Sequence, residues 1–251
     1  MKQTSWGKFA SWYDDLLGGE DTYQKAVILP NLMRAMGIAQ RDVVLDLACG
    51  QGFFAQEFNK AGATVVGADI SSELISLARE KSSKDIEFHV APADNLKFLK
   101  NQSIDKVAII LAIQNIENIA GMLKECARVL GPEGSIFIVM NHPAFRIPKK
   151  SSWGWDNENN IQYRRIDEYM TDSKVKMQMH PGERPKETTI SFHRSLQVYF
   201  KAIRNAGFMV AELEEWISHK VSEPGPRSKA EDRARKEFPI FMMIKAIKLS
   251  Q

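Results

Sequence analysis

Three carboxylates and two glycines are the residues whose types and spacing could do chemistry. Asp46, Asp69 and Asp94 each stand at or just past the end of a short apolar run, and Cys49-Gly50-Gln51-Gly52 follows the first of those runs. Glycines at 50 and 52 let a ligand lie against bare backbone and the N-terminus of the segment that follows. Two ligands suit this outline. Gly50-Gln51-Gly52-Phe53-Phe54-Ala55 satisfies the relaxed GxGxxA dinucleotide pattern, with Asp69, 17 positions beyond Gly52, as the acid for a ribose. The other ligand is S-adenosylmethionine. Asp46, four positions before Gly50, would oppose a pyrophosphate but sits well beside a cationic ammonium and sulfonium. Asp94, placed to accept from an adenine amino group, is a second point for the methyl donor.

The elements that must hold these residues read as alternating strands and helices. Residues 43–48 form a short, nearly continuous apolar run with β-branched residues, as in a buried parallel strand. Residues 53–60 read as a helix stopped by Gly62, and 64–68 as a second strand ending at Asp69. Ser71, with Glu73 in the first turn, N-caps a helix to about Lys81. Residues 86–90 and 104–113 supply strands three and four. Ile119, Met122, Leu123, Cys126, Ala127 and Leu130 lie on one face of an amphipathic helix. The turn 131–134 ends that helix, and 135–140 is the fifth strand. Five such steps give an α/β, doubly wound, Rossmann-like sheet with ligands at the carboxyl ends of its strands.

Beyond residue 140 the pattern changes. Strand-like pieces at 162–170, 174–180 and 187–193 imply an inserted antiparallel β element spanning 143–193, and 195–207 returns to helix. Residues 210–217 and 238–249 read as the last strands. Between them lies a polar loop, 218–237, whose mixed-charge part, 227–236, reads as an exposed helix. The chain reads as one domain over 1–251, with residues 1–40 as a helical lid rich in aromatic residues (Trp6, Trp12, Tyr13, Tyr23).

At these motifs the sequence resembles a known family. Val44 through Gly52, Val66-Gly67-Ala68-Asp69-Ile70-Ser71 and Ala93-Asp94-Asn95-Leu96 are similar to the first three motifs of the class I S-adenosylmethionine-dependent methyltransferases of the small-molecule type. Arg128 through Gly134, with the helix before and the strand after, resembles the segment that closes the site. The resemblance covers about residues 40–140. It implies that Asp46 contacts the methionyl end, that Ala48, Gly50 and Gly52 shape the floor, and that Asp69 takes the ribose hydroxyls. Ile70 would flank the adenine, Asp94 and Asn95 would hold its edge, and Leu111 would line the far side. It also implies that S-adenosyl-L-homocysteine leaves as the product. The stretch 112–117 departs from the family, which often carries His or another polar residue there. The Asn/Asp-Pro-Pro-aromatic signature of amino methylation on bases is missing too, which lowers the expectation of nucleic-acid methylation.

Composition bounds the rest. The chain has 251 residues, 44% hydrophobic and 26% charged, with a net charge of +3. That is an ordinary globular mix with no strong nucleic-acid signal. Residues 1–20 lack the apolar core of a signal peptide, and the longest apolar run, 107–113, is far short of the ~20 residues a membrane span needs. A soluble, cytoplasmic monomer or homodimer acting on a small molecule is expected. Cys49 and Cys126 make no metal-ligand cluster, and Cys49 reads as a small buried residue rather than a nucleophile. His142, directly after the fifth strand, is the candidate catalytic residue that would orient or deprotonate an acceptor. The segment 143–193, with Trp153, Trp155, Tyr163, Tyr169 and Phe192, reads as a cap over the methyl group or as a dimer interface built from the same strands. Lys149-Lys150 and Arg164-Arg165 suit either an acidic substrate or a solvated face.

Overall fold

The computed structural model describes residue 19 and residues 21–178 and 188–249. Trp6, Trp12, Tyr13 and His180 lie outside the described residues, as do residues 1–18 and 20 of the expected N-terminal lid. Among the described residues no helix is long and apolar enough to cross a membrane.

Eleven strands and six helices are described. A π-helical turn, Gln24–Ile28, runs into α1 (Leu29–Met36). Strands β1 (Val43–Leu47), β2 (Thr64–Asp69) and β3 (Glu87–Val90) alternate with α2 (Phe53–Lys60) and α3 (Ser72–Lys81). Then follow β4 (Ile104–Ile110), a 3-10 turn (Ile113–Asn115), α4 (Ile119–Val129) and β5 (Leu130–Asn141). Two hairpins come next, β6 (Ser151–Asp156) with β7 (Ile161–Ile166), and β8 (Ser173–Gln178) with β9 (Thr188–His193). The chain closes with α5 (Leu196–Asn205), β10 (Phe208–Trp216), α6 (Ser228–Glu237) and β11 (Phe241–Lys248).

The central sheet has the order β10-β11-β5-β4-β1-β2-β3, with β11 antiparallel to both of its neighbours. Chain order reverses between β1 and β4, the position where an open α/β sheet leaves a crevice at its carboxyl edge. Strand alternation divides the core in two. Leu45, Leu47, Val66 and Ala68 face α4 and α5 through Met122, Leu123, Cys126, Tyr199 and Ile203. Val44 and Val65 face α1, α2 and α3 through Ile28, Leu32, Phe58 and Ile75. Each fully buried side chain of this size contributes about 1.5–3 kcal/mol, so both layers hold the sheet in place beneath its carboxyl edge. Residues 29–36 of the expected lid are therefore a sheet-packing helix, with Leu32 and Met36 in the core.

Ser71 accepts from the Leu74 amide and caps α3 as its sequence predicts. Three readings are corrected. The fourth strand stops at Ile110, because Leu111 takes a left-handed backbone (φ +54°) and the chain turns through Ile113–Asn115. An apolar run records burial, and Ile113 keeps its place in the core while the chain turns. Residues 131–134, expected as a turn, instead extend β5 back to Leu130, directly after α4. The insertion is two separate hairpins rather than one element, and β6 went unseen. Ser151–Asp156 has no β-branched residue, and it becomes a strand because Gly154 leaves room for the Tyr163 ring across the pair.

Candidate active site

Asp46 ends in the core. Its side chain is only 2% exposed. The carboxyl accepts the Ala55 amide at the start of α2, and among the described residues Oδ2 has no hydrogen-bond partner. Burial, with the nearby Asp69 charge adding to it, pushes its pKa up to about 7. Asp69, at the tip of β2, is 8% exposed, and burial raises its pKa against the pull of several backbone amides. Its Oδ2 accepts the Gly50 amide at 3.0 Å and its Oδ1 the Ser71 amide at 2.9 Å. One carboxylate thus ties the glycine turn to the cap of α3. Neither carboxyl has a basic side chain as a partner among the described residues. Two buried, under-compensated carboxyls favour a positively charged ligand.

The backbone between them is shaped for close approach. Ala48 (φ +60°), Gly50 (φ +55°) and Gly52 (φ +80°) are all left-handed, which costs most at the non-glycine. A side chain added at Gly50 would meet nothing within 4 Å, so that position opens to the ligand. At Gly52 it would come within 2.9 Å of the Phe88 ring, so that glycine serves packing.

Two connected hollows follow this backbone. One, about 140 Å³, is lined by Ala48, Gly50, Asp69, Ile70, Leu74 and the 110–116 turn, including Leu111, Asn115 and Ile116. The other, about 40 Å³, lies over Asp46, Ala48, Gly50, Phe53 and Phe54. Ile70 stands 49% exposed at its rim, an apolar surface free for a flat ring. Of the sequence-predicted residues, the fold brings Asp46, Ala48, Gly50, Asp69, Ile70 and Leu111 together here, with Gly52 beneath.

Asp94 and Asn95 do not line either hollow. Asp94 accepts from Asn118 Nδ2 at 2.7 Å, and Asn118 itself caps α4 through the Gly121 amide. In this arrangement Asp94 steadies a helix start. Sequence reasoning missed Leu74, Ala112, Asn115 and Ile116. The signal for the last three, a polar Gln114-Asn115 closing the apolar run, is present in the sequence, but the run itself reads as strand up to Ile113. Asn115 Nδ2 donates to the Ile190 carbonyl at 2.8 Å, so hairpin β8–β9 leans on this wall.

His142 is also placed elsewhere. It is 2% exposed, and its Nε2 lies 2.6 Å from Glu215 Oε1. Its Nδ1 accepts the Ala144 and Phe145 amides at 3.2 and 3.4 Å. Accepting at Nδ1 puts the proton on Nε2, which donates to Glu215, so neither nitrogen is free to take a proton from an acceptor. Burial also lowers its pKa. The base role expected of it is replaced by a structural one. His142→Ala is expected to cost about 1–3 kcal/mol of stability and to leave the shape of the pH–rate profile between pH 6 and 9 unchanged; loss of a limb of that profile would restore the base. His193, at the end of β9, is buried and bonds the Tyr169 carbonyl. Burial pushes the Cys49 thiol well up, which makes it a poor nucleophile.

Comparison with known proteins agrees with this geometry. Residues 45–138 match the model of a family described as "Methyltransferase domain". Over 122 residues the chain is 34% identical to the demethylmenaquinone methyltransferase of Chlorobaculum parvum, covering 48% of this chain and 50% of that protein. It is 30% identical over 149 residues to the biotin biosynthesis bifunctional protein BioHC of Cellvibrio japonicus, covering 59% of this chain and 29% of that one. The chain thus spans half or less of the length of these curated relatives. In fold, an S-adenosylmethionine-dependent methyltransferase from Mesorhizobium loti superposes with a TM-score of 0.69 at 24% identity, over 87% of this chain and 96% of that one.

Proposed function

We propose that this chain, whose residues 45–138 belong to the class I S-adenosylmethionine-dependent methyltransferases, transfers a methyl group from that donor to a small-molecule acceptor. The observation that carries the reading is Asp46, a buried carboxyl that lines the hollow beside Gly50 and has one oxygen without a partner among the described residues. A buried acceptor of that kind costs free energy unless a ligand pairs with it. A cationic amino-acid end supplies the missing donor, and a pyrophosphate does not. When bound, the donor supplies a methyl group already activated on a sulfonium. The protein's work is alignment and exclusion of water. Asp46 would hold the cationic end. Asp69, already fixed by two backbone amides, keeps lone pairs for the ribose hydroxyls. Ile70, Leu111 and Ile116 supply the apolar walls of the hollow.

Calorimetry with S-adenosylhomocysteine and with NAD tests the reading. Micromolar binding of the first and none of the second is expected; the opposite result would remove methyl transfer in favour of a dinucleotide enzyme. Incubation with methyl-labelled donor and cell extract, followed by mass identification of the product, then names the acceptor. Label retained in an RNase-sensitive fraction would promote an RNA acceptor over a small molecule.

A further inference from the structure

A second cleft, of about 220 Å³, opens on the same edge of the sheet and is lined in part by Tyr23, Phe145, Arg146, Trp153, Arg164 and Phe238. Its position follows from the topology. Phe145 and Arg146 lie just past the carboxyl end of β5, and Ile240 precedes β11, whose Phe241 pairs with Asn141. Hairpin β6–β7 packs against α6 and closes the far side. From β4, whose end lines the donor hollow, to β11 is two strand spacings, or about 10 Å.

Three aromatic rings make one continuous wall. Phe145 and Trp153 each meet Phe238 edge-on, with centroids 5.5 and 5.4 Å apart. Strand alternation places the charge. On β7, Arg165 points outward and pairs with Asp167 at 2.9 Å, while Arg164 turns inward over the Trp153 ring at 5.0 Å. Arg164 donates to the Phe145 carbonyl and to Ser151 Oγ, both at 2.8 Å, so its guanidinium is held in place. Arg146 reaches the same cleft, with its guanidinium 5.8 Å from the Phe241 ring centre. Among the described residues neither arginine has a carboxylate partner, and the charge of Arg146 acts unfavourably on Arg164. Two guanidiniums that line one cleft, one of them held by hydrogen bonds and neither with a carboxylate partner among the described residues, offer an anion charge-assisted donors from two sides.

We infer that this cleft is the acceptor site, and that Arg146 and Arg164 hold the anionic group, a carboxylate or a phosphate, of a flat and otherwise apolar acceptor packed on Trp153, Phe145 and Phe238. The inference rests on the methyl-transfer reading for the word acceptor, but the anion site stands on its own residues. One basic dipeptide of the sequence thus divides between a solvated face and a binding one.

Calorimetry on the full chain saturated with S-adenosylhomocysteine tests it, with benzoate, phenyl phosphate and neutral benzamide as probes. One of the two anions is expected to bind at least tenfold more tightly than benzamide, and which one does so names the group. Arg146→Met, which keeps the stem and removes the charge, is expected to abolish that preference and leave S-adenosylhomocysteine affinity within twofold. Arg165→Ala is the control and should keep the preference. Equal binding of all three probes, binding of none, or an unchanged preference in Arg146→Met would overturn the inference. Failure of S-adenosylhomocysteine to bind would instead sink the methyl-transfer reading, and the probe titration repeated without it would still decide whether the cleft takes anions.

Discussion

Asp46→Asn is expected to stabilise the free protein at pH 8 while weakening its hold on S-adenosylmethionine. Burial raises the Asp46 pKa from 3.8 to about 7. The folded state therefore binds the proton more tightly than the unfolded chain does, and stability contributed by this group falls as pH rises between those values. The full span corresponds to roughly 4 kcal/mol. Asparagine removes the buried charge, so the gain in melting temperature should be present at pH 8 and absent near pH 4. Donor affinity should move the other way, since a cationic ligand needs the ionised carboxylate. In the unmodified protein, affinity should rise with pH up to about 7, by at most about tenfold per pH unit, and then level off. S-adenosylmethionine should lose more affinity in the variant than the neutral-sulfur product. Equal losses would confine Asp46 to the amino group. A variant destabilised at pH 8 would show that the carboxylate is structurally required.

Asp69→Ala is expected to abolish tight donor binding for a different reason. On the proposed reading it deletes the acceptor for two ribose hydroxyls, each hydrogen bond to a charged group being worth about 1.5–3 kcal/mol, and affinity should fall by about two to four powers of ten. It also frees the Gly50 and Ser71 amides that the carboxylate now fixes, so the glycine turn loses its tie to β2. Unlike Asp46→Asn, it should weaken donor and product alike, because both carry the ribose. A change of less than threefold for S-adenosylhomocysteine, with the far-ultraviolet dichroism intact, would remove Asp69 from the site.

The contrast between the two aspartates explains how the site is built. Both are buried at strand ends, but Asp69 is satisfied by backbone and serves as a fixed acceptor, whereas Asp46 keeps an oxygen in reserve. Free energy spent on burying that oxygen becomes available when a cation arrives. Sites that trade stability for binding in this way lose function when the strain is relieved.

Local signals alone determined the five parallel strands, the glycine turn, the Ser71 cap and the place of Asp46 and Asp69 at strand ends. Each depends on a run of apolar residues, a positive φ that glycine tolerates, or a capping side chain, all of which act within a few residues. Tertiary structure decided the rest. Nothing near residue 142 in sequence announces that Glu215, 73 positions away, would occupy its Nε2 and take the histidine out of the chemistry. Asp94 is drawn to Asn118 by the packing of α4, a contact no spacing rule contains. Where β4 stops depends on how the chain turns at Leu111, ahead of the first polar side chain at Gln114, so the apolar run outlasts the strand. The two basic pairs read alike on paper. Only the pairing of β7 with β6, which fixes which face of the strand meets α6, sends Arg164 into a cleft and Arg165 to solvent. Long-range pairing settles such choices because a side chain's partners come from whichever strand or helix lies across from it, and that is a property of the fold.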